Sequence, residues 1–330
     1  MQLGMIGLGK MGGNMRERLR RAGHEVVGFD LDEKVRDVDT LEGLVAAVQQ
    51  PRTMWVMVPH GDPTEKTLDA LSDLLDEGDL IIEGGNSHFI EDAKHDEKLA
   101  AKGIGFVDCG VSGGIWGLDN GYGLMCGGRE EHVKMAMPIF DALRPEGPRE
   151  EGFVHAGDVG AGHYAKMVHN GIEYGLMAAY AEGFELLTAK DMVKDVKGCF
   201  QAWSRGTVVR SWLLDLLVQA LEDTPNLEGI SEYTTDSGEG RWTVQEAIEV
   251  GVPMPVISAA LFARFASRQT NSPAMQAVAA LRGEFGGHEV TMLDSPDADE
   301  AGPSSGTGGT DGDTSSPSVG PTSGSGTATH

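Results

Sequence analysis

Apolar and polar positions along this chain fall into two registers. Residues 3–8 (LGMIGL) form a short apolar run ending in glycine, and runs of strand character recur at 26–29, 53–58, 79–83 and 104–108. Between them apolar residues recur at helical spacing, about 10–22, near 40–50, 63–75 and 89–102, with Met11, Met15 and Leu19 on one side of the first helix. Strands alternating with helices of this length predict a parallel, doubly wound sheet. A strand or hairpin segment near 122–127, a helix at about 130–143 and a short strand at 152–155 complete it. After Gly157 strand signals stop, and helical patterns occupy 160–190, 194–203, 207–222, 241–250, 254–267 and 273–283. From about Ser295 the chain turns to Ser, Gly, Thr, Pro and Asp, which cannot bury enough surface to offset its ordering entropy. The expected organisation is α/β: a doubly wound domain over 1–157, an all-helical domain over 158–293, and a disordered acidic tail over 294–330.

Composition narrows the partners. The 330 residues suffice for two domains with real cores. With 26 Lys and Arg against 51 Asp and Glu the net charge is −25. Such a surface repels phosphates, so neither nucleic acid nor an anionic membrane is expected as a partner. The acidity suits a protein working at high salt, where screening relieves self-repulsion, and equally a generally acidic protein. Cys109, Cys126 and Cys199 form no C-x-x-C pair, and no metal-ligand spacing is evident, so no metal is expected. Met1-Gln2-Leu3 leads straight into a strand pattern, and no apolar segment could span a bilayer, so a reducing cytoplasm is the expected location.

Candidate chemistry sits at strand ends and on one helix. Gly7-Leu8-Gly9-Lys10-Met11-Gly12 is G-x-G-x-x-G, weak alone. Here it follows a strand, opens a helix and is trailed by Asp30 at the end of the second strand. That context makes 1–157 a Rossmann-type dinucleotide-binding domain, the helix N-terminus facing the pyrophosphate and Asp30 the adenosine ribose. Asp30 would repel a 2′-phosphate, favouring NAD over NADP. Val58 and Pro59, closing the third strand, fall at the same crevice. His60 beside them is as readily a solvated loop histidine. Asn86, in Glu83-Gly84-Gly85-Asn86-Ser87, can bond substrate or cofactor, cap a helix, or do both. Ser112-Gly113-Gly114 offers a hydroxyl and backbone N–H groups to a carboxylate. Lys166, His169, Asn170 and Glu173, at i, i+3, i+4 and i+7, share one helix face within roughly 100° of arc. Buried, they offer a general base and a general acid; solvated, they are no more than a charge pair on a helix.

The G-x-G-x-x-G, the G-N-S stretch, V-S-G-G and the run Gly160-Ala161-Gly162-His163 to Lys166-Met167-Val168-His169-Asn170-Gly171-Ile172-Glu173-Tyr174 together resemble decarboxylating 6-phosphogluconate dehydrogenase, in a short form. The resemblance covers roughly residues 1–290. It implies that Lys166 takes the C3 hydroxyl proton as hydride leaves for the nicotinamide. The β-keto acid then loses CO2, and Glu173 protonates C1 of the resulting enediol. Asn86, His169 and Asn170 would position hydroxyls, and Ser112, Gly113 and Gly114 the C1 carboxylate. Tyr174 and Arg264 match phosphate contacts. Arg282 and His288, in an R-x-x-F-G-x-H segment, match residues donated by a second subunit, so a homodimer or homotetramer is implied. Taken alone they fit an ordinary helix C-terminus. One departure concerns the phosphate. Ser237 and Glu239 stand where longer forms have Lys and Thr, and Arg241 is a candidate replacement cation.

Two other functions compete. A 3-hydroxyisobutyrate-type dehydrogenase would oxidise without decarboxylating, but a small unphosphorylated acid needs neither Glu173 nor the Arg282–His288 segment. A catalytically silent dinucleotide-binding sensor would have no use for Lys166 and Glu173.

Overall fold

The computed structural model describes residues 1–293; the tail expected over 294–330 lies outside the described residues. The chain forms two compact units, Met1–Gln269 and a second beginning at Thr270.

Seven strands make one sheet in the first unit. They are β1 (Gln2–Ile6), β2 (Glu25–Phe29), β3 (Thr53–Val56), β4 (Leu80–Glu83), β5 (Gly105–Ser112), β6 (Gly123–Gly128) and β7 (Phe153–Gly157). Their order is β2-β1-β3-β4-β5-β6-β7. The first five are parallel, as the alternating pattern predicts. The segment near 122–127 proves to be β6, antiparallel to β5, and β7 runs parallel to β6. Intervening helices are α1 (Lys10–Arg21), α2 (Leu41–Ala47), α3 (Asp62–Leu74), α4 (Phe89–Ala100), the short α5 (Gly117–Asn120) and α6 (Glu130–Leu143).

Every residue of β3 and β4 is buried, which is why both read as continuous apolar runs. Successive side chains feed opposite cores. Trp55, Leu80 and Ile82 pack with Met15 and Leu19 of α1 and Phe140 of α6. Met54, Val56 and Ile81 pack with Leu44, Leu68, Leu71 and Leu99 of α2, α3 and α4. Each such side chain contributes about 1.5–3 kcal/mol by burial, and Trp55→Ala would cost about 3–5 kcal/mol.

Beyond β7 the first unit is helical: α7 (Ala161–Thr188), α8 (Val196–Gly206), α9 (Trp212–Asp223), α10 (Glu239–Glu249) and α11 (Pro255–Ala266). The helix expected over 207–222 starts later. Thr207 is extended, and Ser211 caps α9 by accepting the Leu214 N–H at 3.1 Å. A core of Tyr174, Ala260 and Leu261 joins α7 to α11, and Phe200, Leu214 and Leu221 join α8 to α9. The second unit contains α12 (Pro273–Gly286), which Gly287 ends in the left-handed conformation. No described helix is long and apolar enough to cross a membrane.

Candidate active site

The G-x-G-x-x-G turn joins β1 to α1 at the sheet's switch point, between β1 and β3. Gly7 has φ 88° and lies against the Met57 carbonyl, so a side chain there would be both strained and obstructed. A Cβ on Gly9, by contrast, would meet nothing within 4 Å. Gly9 caps α1 without any side-chain hydrogen bond, leaving first-turn amides for an anion. Gly7, Gly9, Lys10, Met11, Gly12, Asp30, Val58, Pro59 and Asn86 all line one cavity of about 920 Å³. Leu8 is buried instead, and its N–H donates to Asp30 Oδ2 at 2.6 Å. Asp30 Oδ1 accepts from the Asp32 N–H at 2.8 Å. The residues thus fit a dinucleotide: an open helix N-terminus, a glycine with space in front of it, and a carboxylate held at the end of β2.

The α7 face lies alongside a second cavity, about 830 Å³, lined by Ser112, Gly113, Gly114, Lys166, His169, Asn170 and Glu173 among others. Lys166 is 8% exposed, and burial lowers its pKa below the ordinary lysine value against the pull of Glu239 and Glu173. Its Nζ donates to Asn170 Oδ1 at 3.0 Å and to Asn86 Oδ1 at 3.4 Å. His169 Nδ1 also lies 3.0 Å from Asn170 Oδ1, and its Nε2 is 3.4 Å from Ser112 Oγ. An Nδ1–H tautomer satisfies both contacts, the hydroxyl donating to Nε2. Met11 lines both cavities, and Lys166 of the second donates to Asn86 of the first, so the amine stands where the dinucleotide crevice meets the second pocket.

Residues 2–145 match the NAD binding domain of 6-phosphogluconate dehydrogenase, and residues 162–290 match its C-terminal domain. A Haloferax volcanii protein named NAD(+)-dependent, decarboxylating 6-phosphogluconate dehydrogenase is 42% identical over 89% of this chain and 100% of its own length. The chain belongs to the 6-phosphogluconate dehydrogenase family. A Bacillus subtilis relative with the same description is 33% identical over 80% of this chain, but this chain spans only 61% of it. A solved Plasmodium falciparum 6-phosphogluconate dehydrogenase has the same fold, with TM-score 0.75, 24% identity, and coverage of 90% of this chain and 67% of that one.

The residues expected at the phosphate end gather beside α7. Arg264 stacks on the Tyr174 ring, 3.6 Å from its centroid, and donates to the Thr235 carbonyl at 3.1 Å. The Tyr174 hydroxyl accepts the Ser237 N–H at 3.2 Å. Arg241 does not stand free to replace the missing lysine. It donates twice to Asp236, at 2.8 and 3.0 Å, and Arg268 takes the same carboxylate at 2.7 Å. The Arg241 and Arg268 guanidiniums hold Asp236 well below the usual carboxylate range despite some burial. Glu239 is buried rather than solvated. Arg282 and His288 belong to the second unit, where both are exposed at the end of α12.

Sequence reasoning missed the charges beneath this face. His163, three residues before Lys166, is buried with its Nδ1 2.8 Å from Asp92 Oδ2 and its Nε2 3.5 Å from Glu83 Oε2. Asp108 accepts the Gly160 N–H at 2.7 Å and the His163 N–H at 2.9 Å, capping α7 from within β5. Glu83 Oε1 accepts the Gly85 N–H at 2.7 Å, fixing the turn that presents Asn86. Burial would push the imidazole down, but Asp92 and Glu83 outweigh it and raise it to about 10. Burial raises Asp92 to about 6 against the pull of His163. Glu83, Asp92 and His163 converge as a metal set would, a grouping that spacing along the chain did not suggest. The ring lies between the two carboxylates, hydrogen-bonded to Asp92 alone. The available signal was an acidic residue closing each of two apolar strand runs, at Glu83 and Asp108.

Proposed function

We propose that this chain oxidatively decarboxylates 6-phosphogluconate to ribulose 5-phosphate and CO2, with NAD reduced. The observation that carries this reading is the Lys166 amine, buried and hydrogen-bonded to Asn86 at the meeting of the two cavities. NAD, when bound, supplies the hydride acceptor. Lys166, neutral, takes the proton from the C3 hydroxyl as that carbon is oxidised. Protonated, it then hydrogen-bonds the C3 ketone, which accepts the electrons of the breaking C1–C2 bond as CO2 leaves. Glu173 returns a proton to the carbon left behind. Ser112, Gly113 and Gly114 hold the C1 carboxylate, and Asn86, His169 and Asn170 orient the hydroxyls. Tyr174 and Arg264 take the phosphate end. Asp30 supports a preference for NAD over NADP, since a carboxylate at the ribose repels a 2′-phosphate.

Residues 1–157 serve the cofactor and 158–293 the substrate and subunit association. Arg282 and His288, exposed on their own unit, complete the site of a second copy in a homo-oligomer. This reading places the enzyme in the cytoplasm. The test measures CO2 and reduced cofactor formed from 6-phosphogluconate, with NAD and NADP compared at high salt. Equal amounts of NADH and CO2, and faster turnover with NAD, are expected. NADH without CO2 would instead assign the non-decarboxylating 3-hydroxyacid chemistry, and NAD binding without turnover a silent sensor.

A further inference from the structure

α10 begins with a glutamate whose carboxyl the hydrogen-bond pattern leaves unused. Gly238, at φ 91°, turns the chain into the helix, and Glu239 follows with 1% exposure. Its Oε2 has no hydrogen-bond partner. A buried carboxyl in that condition is costly unless it is protonated or faces a cation.

The helix is not free to swing it away. Thr243 Oγ1, one turn on, lies 2.8 Å from the Glu239 carbonyl and 2.9 Å from the Met167 carbonyl of α7. Gly240 lies so close to the Tyr174 ring that a Cβ would collide with it. Glu239 is therefore clamped beside the Lys166–Met167 turn. The amine's own hydrogen bonds go to the two asparagines, so the carboxyl acts on it through space.

The charged groups around the pair can be assigned. On α7 these are His163, His169 and Glu173. From the sheet and α4 come Glu83, Asp92 and Asp108, all engaged with His163 or the start of α7. His155 of β7 bonds the Gly128 carbonyl, and Arg264 of α11 is turned over Tyr174. The carboxyls that oppose the effect of burial on Lys166 are Glu239 and Glu173. Burial in turn pushes Glu239 above the ordinary glutamate value, with Lys166 and His163 pulling it back.

We propose that Glu239 is a positioning residue that governs the proton on Lys166: with α10 clamped to the Lys166–Met167 turn, its buried carboxylate holds the amine in the charged form, and its neutralisation frees the amine to act as base. The inference rests on the reading of Lys166 as the base. It also gives the departure from the longer forms a use, at the lysine.

The test follows Lys166 directly. Labelling of its amine by acetic anhydride, read by mass spectrometry against pH, needs no substrate. Glu239→Gln keeps the shape and removes the charge. It should label Lys166 about 10-fold faster at a fixed pH on the acidic side of the midpoint, and the acid limb of kcat/KM should move to lower pH in step. Glu239→Asp, which keeps a charge, should return both toward the parent. Glu239→Thr, a second neutral variant, should shift both in the same direction as Gln. Labelling curves of the two neutral variants that overlay the parent would overturn the proposal. A labelling midpoint that moves in a protein inactive on 6-phosphogluconate would support the proposal and overturn the assigned reaction instead.

Discussion

At the β1–β3 crevice the backbone offers most of the groups a ligand would meet, whereas on α7 side chains offer them, and the two regions handle charge in opposite ways. The crevice offers first-turn amides of α1 and, just past β2, the Asp30 carboxylate, itself held by the amides of Leu8 and Asp32. It needs no buried counter-charge. The α7 face presents Lys166 from a buried position, and beneath it lie an imidazole and three carboxylates drawn from β4, α4 and β5. A general base lowered by burial needs an environment that is dry yet not hostile to its charged form. The difference teaches that a backbone-built site can be local in sequence, while a buried side-chain site must be compensated by distant elements.

The sharpest separation of the two regions comes from Lys166→Met. Turnover should fall by about 10³-fold, within the range for losing a general base, while the dissociation constant for NAD stays near the parent value. A large loss of NAD affinity would show that the regions are not separable. Next in size is His163→Gln, which leaves buried carboxylates uncompensated and should cost about 3–5 kcal/mol in urea unfolding. Its pH dependence has a definite sign. The folded imidazole is raised from 6.5 to about 10, so its stabilisation is complete below 6.5 and is lost as pH climbs through about 10. The parent should therefore lose stability across that window, and the variant should be flat there. Parallel slopes for the two proteins would mean that His163 is not charged in the fold.

These two residues also mark what could be read beforehand. Lys166, His169, Asn170 and Glu173 were legible because one helix carries them at i, i+3, i+4 and i+7. The glycine turn and Asp30 were legible because a strand and a helix bracket them. His163 sits in the same motif as Lys166, yet its partners Glu83, Asp92 and Asp108 come from three other elements, and no local period connects them. The alternation of strands and helices predicted the doubly wound sheet, but the direction of β6 depends on its neighbours, not on its own residues. Arg241 looked available to a phosphate from its charge alone. Asp236, at the other end of the turn into α10, claims it.

Replacing Asp30 tests the crevice from its own side. Asp30→Asn removes the charge but keeps an acceptor for the Leu8 N–H, so the glycine turn should persist. The KM for NAD should rise about 10-fold, as expected when one charge-assisted hydrogen bond is lost, and discrimination against NADP should shrink. Turnover at saturating NAD should barely change. A drop in turnover comparable to that of Lys166→Met would deny the crevice its independence from the α7 face.

The smallest effect tests whether the side-chain region is held by many modest links rather than by its charges alone. Thr243→Val exchanges a hydroxyl for a methyl group of similar size and keeps the Cγ2 that packs against Gly171. The hydroxyl lies between the Glu239 and Met167 carbonyls. Both carbonyls sit inside helices and can keep backbone donors, so neither is orphaned by the change. The loss should then be about 1 kcal/mol, the ordinary net worth of a hydrogen bond, seen as a small fall in unfolding midpoint with NAD binding intact. Because α10 would be clamped less firmly to α7, the labelling rate of Lys166 should drift toward that of Glu239→Gln without reaching it. A loss of several kcal/mol would mean that the hydroxyl supports the buried charges themselves, and the contrast with the backbone-built crevice would then rest on α10 as much as on His163.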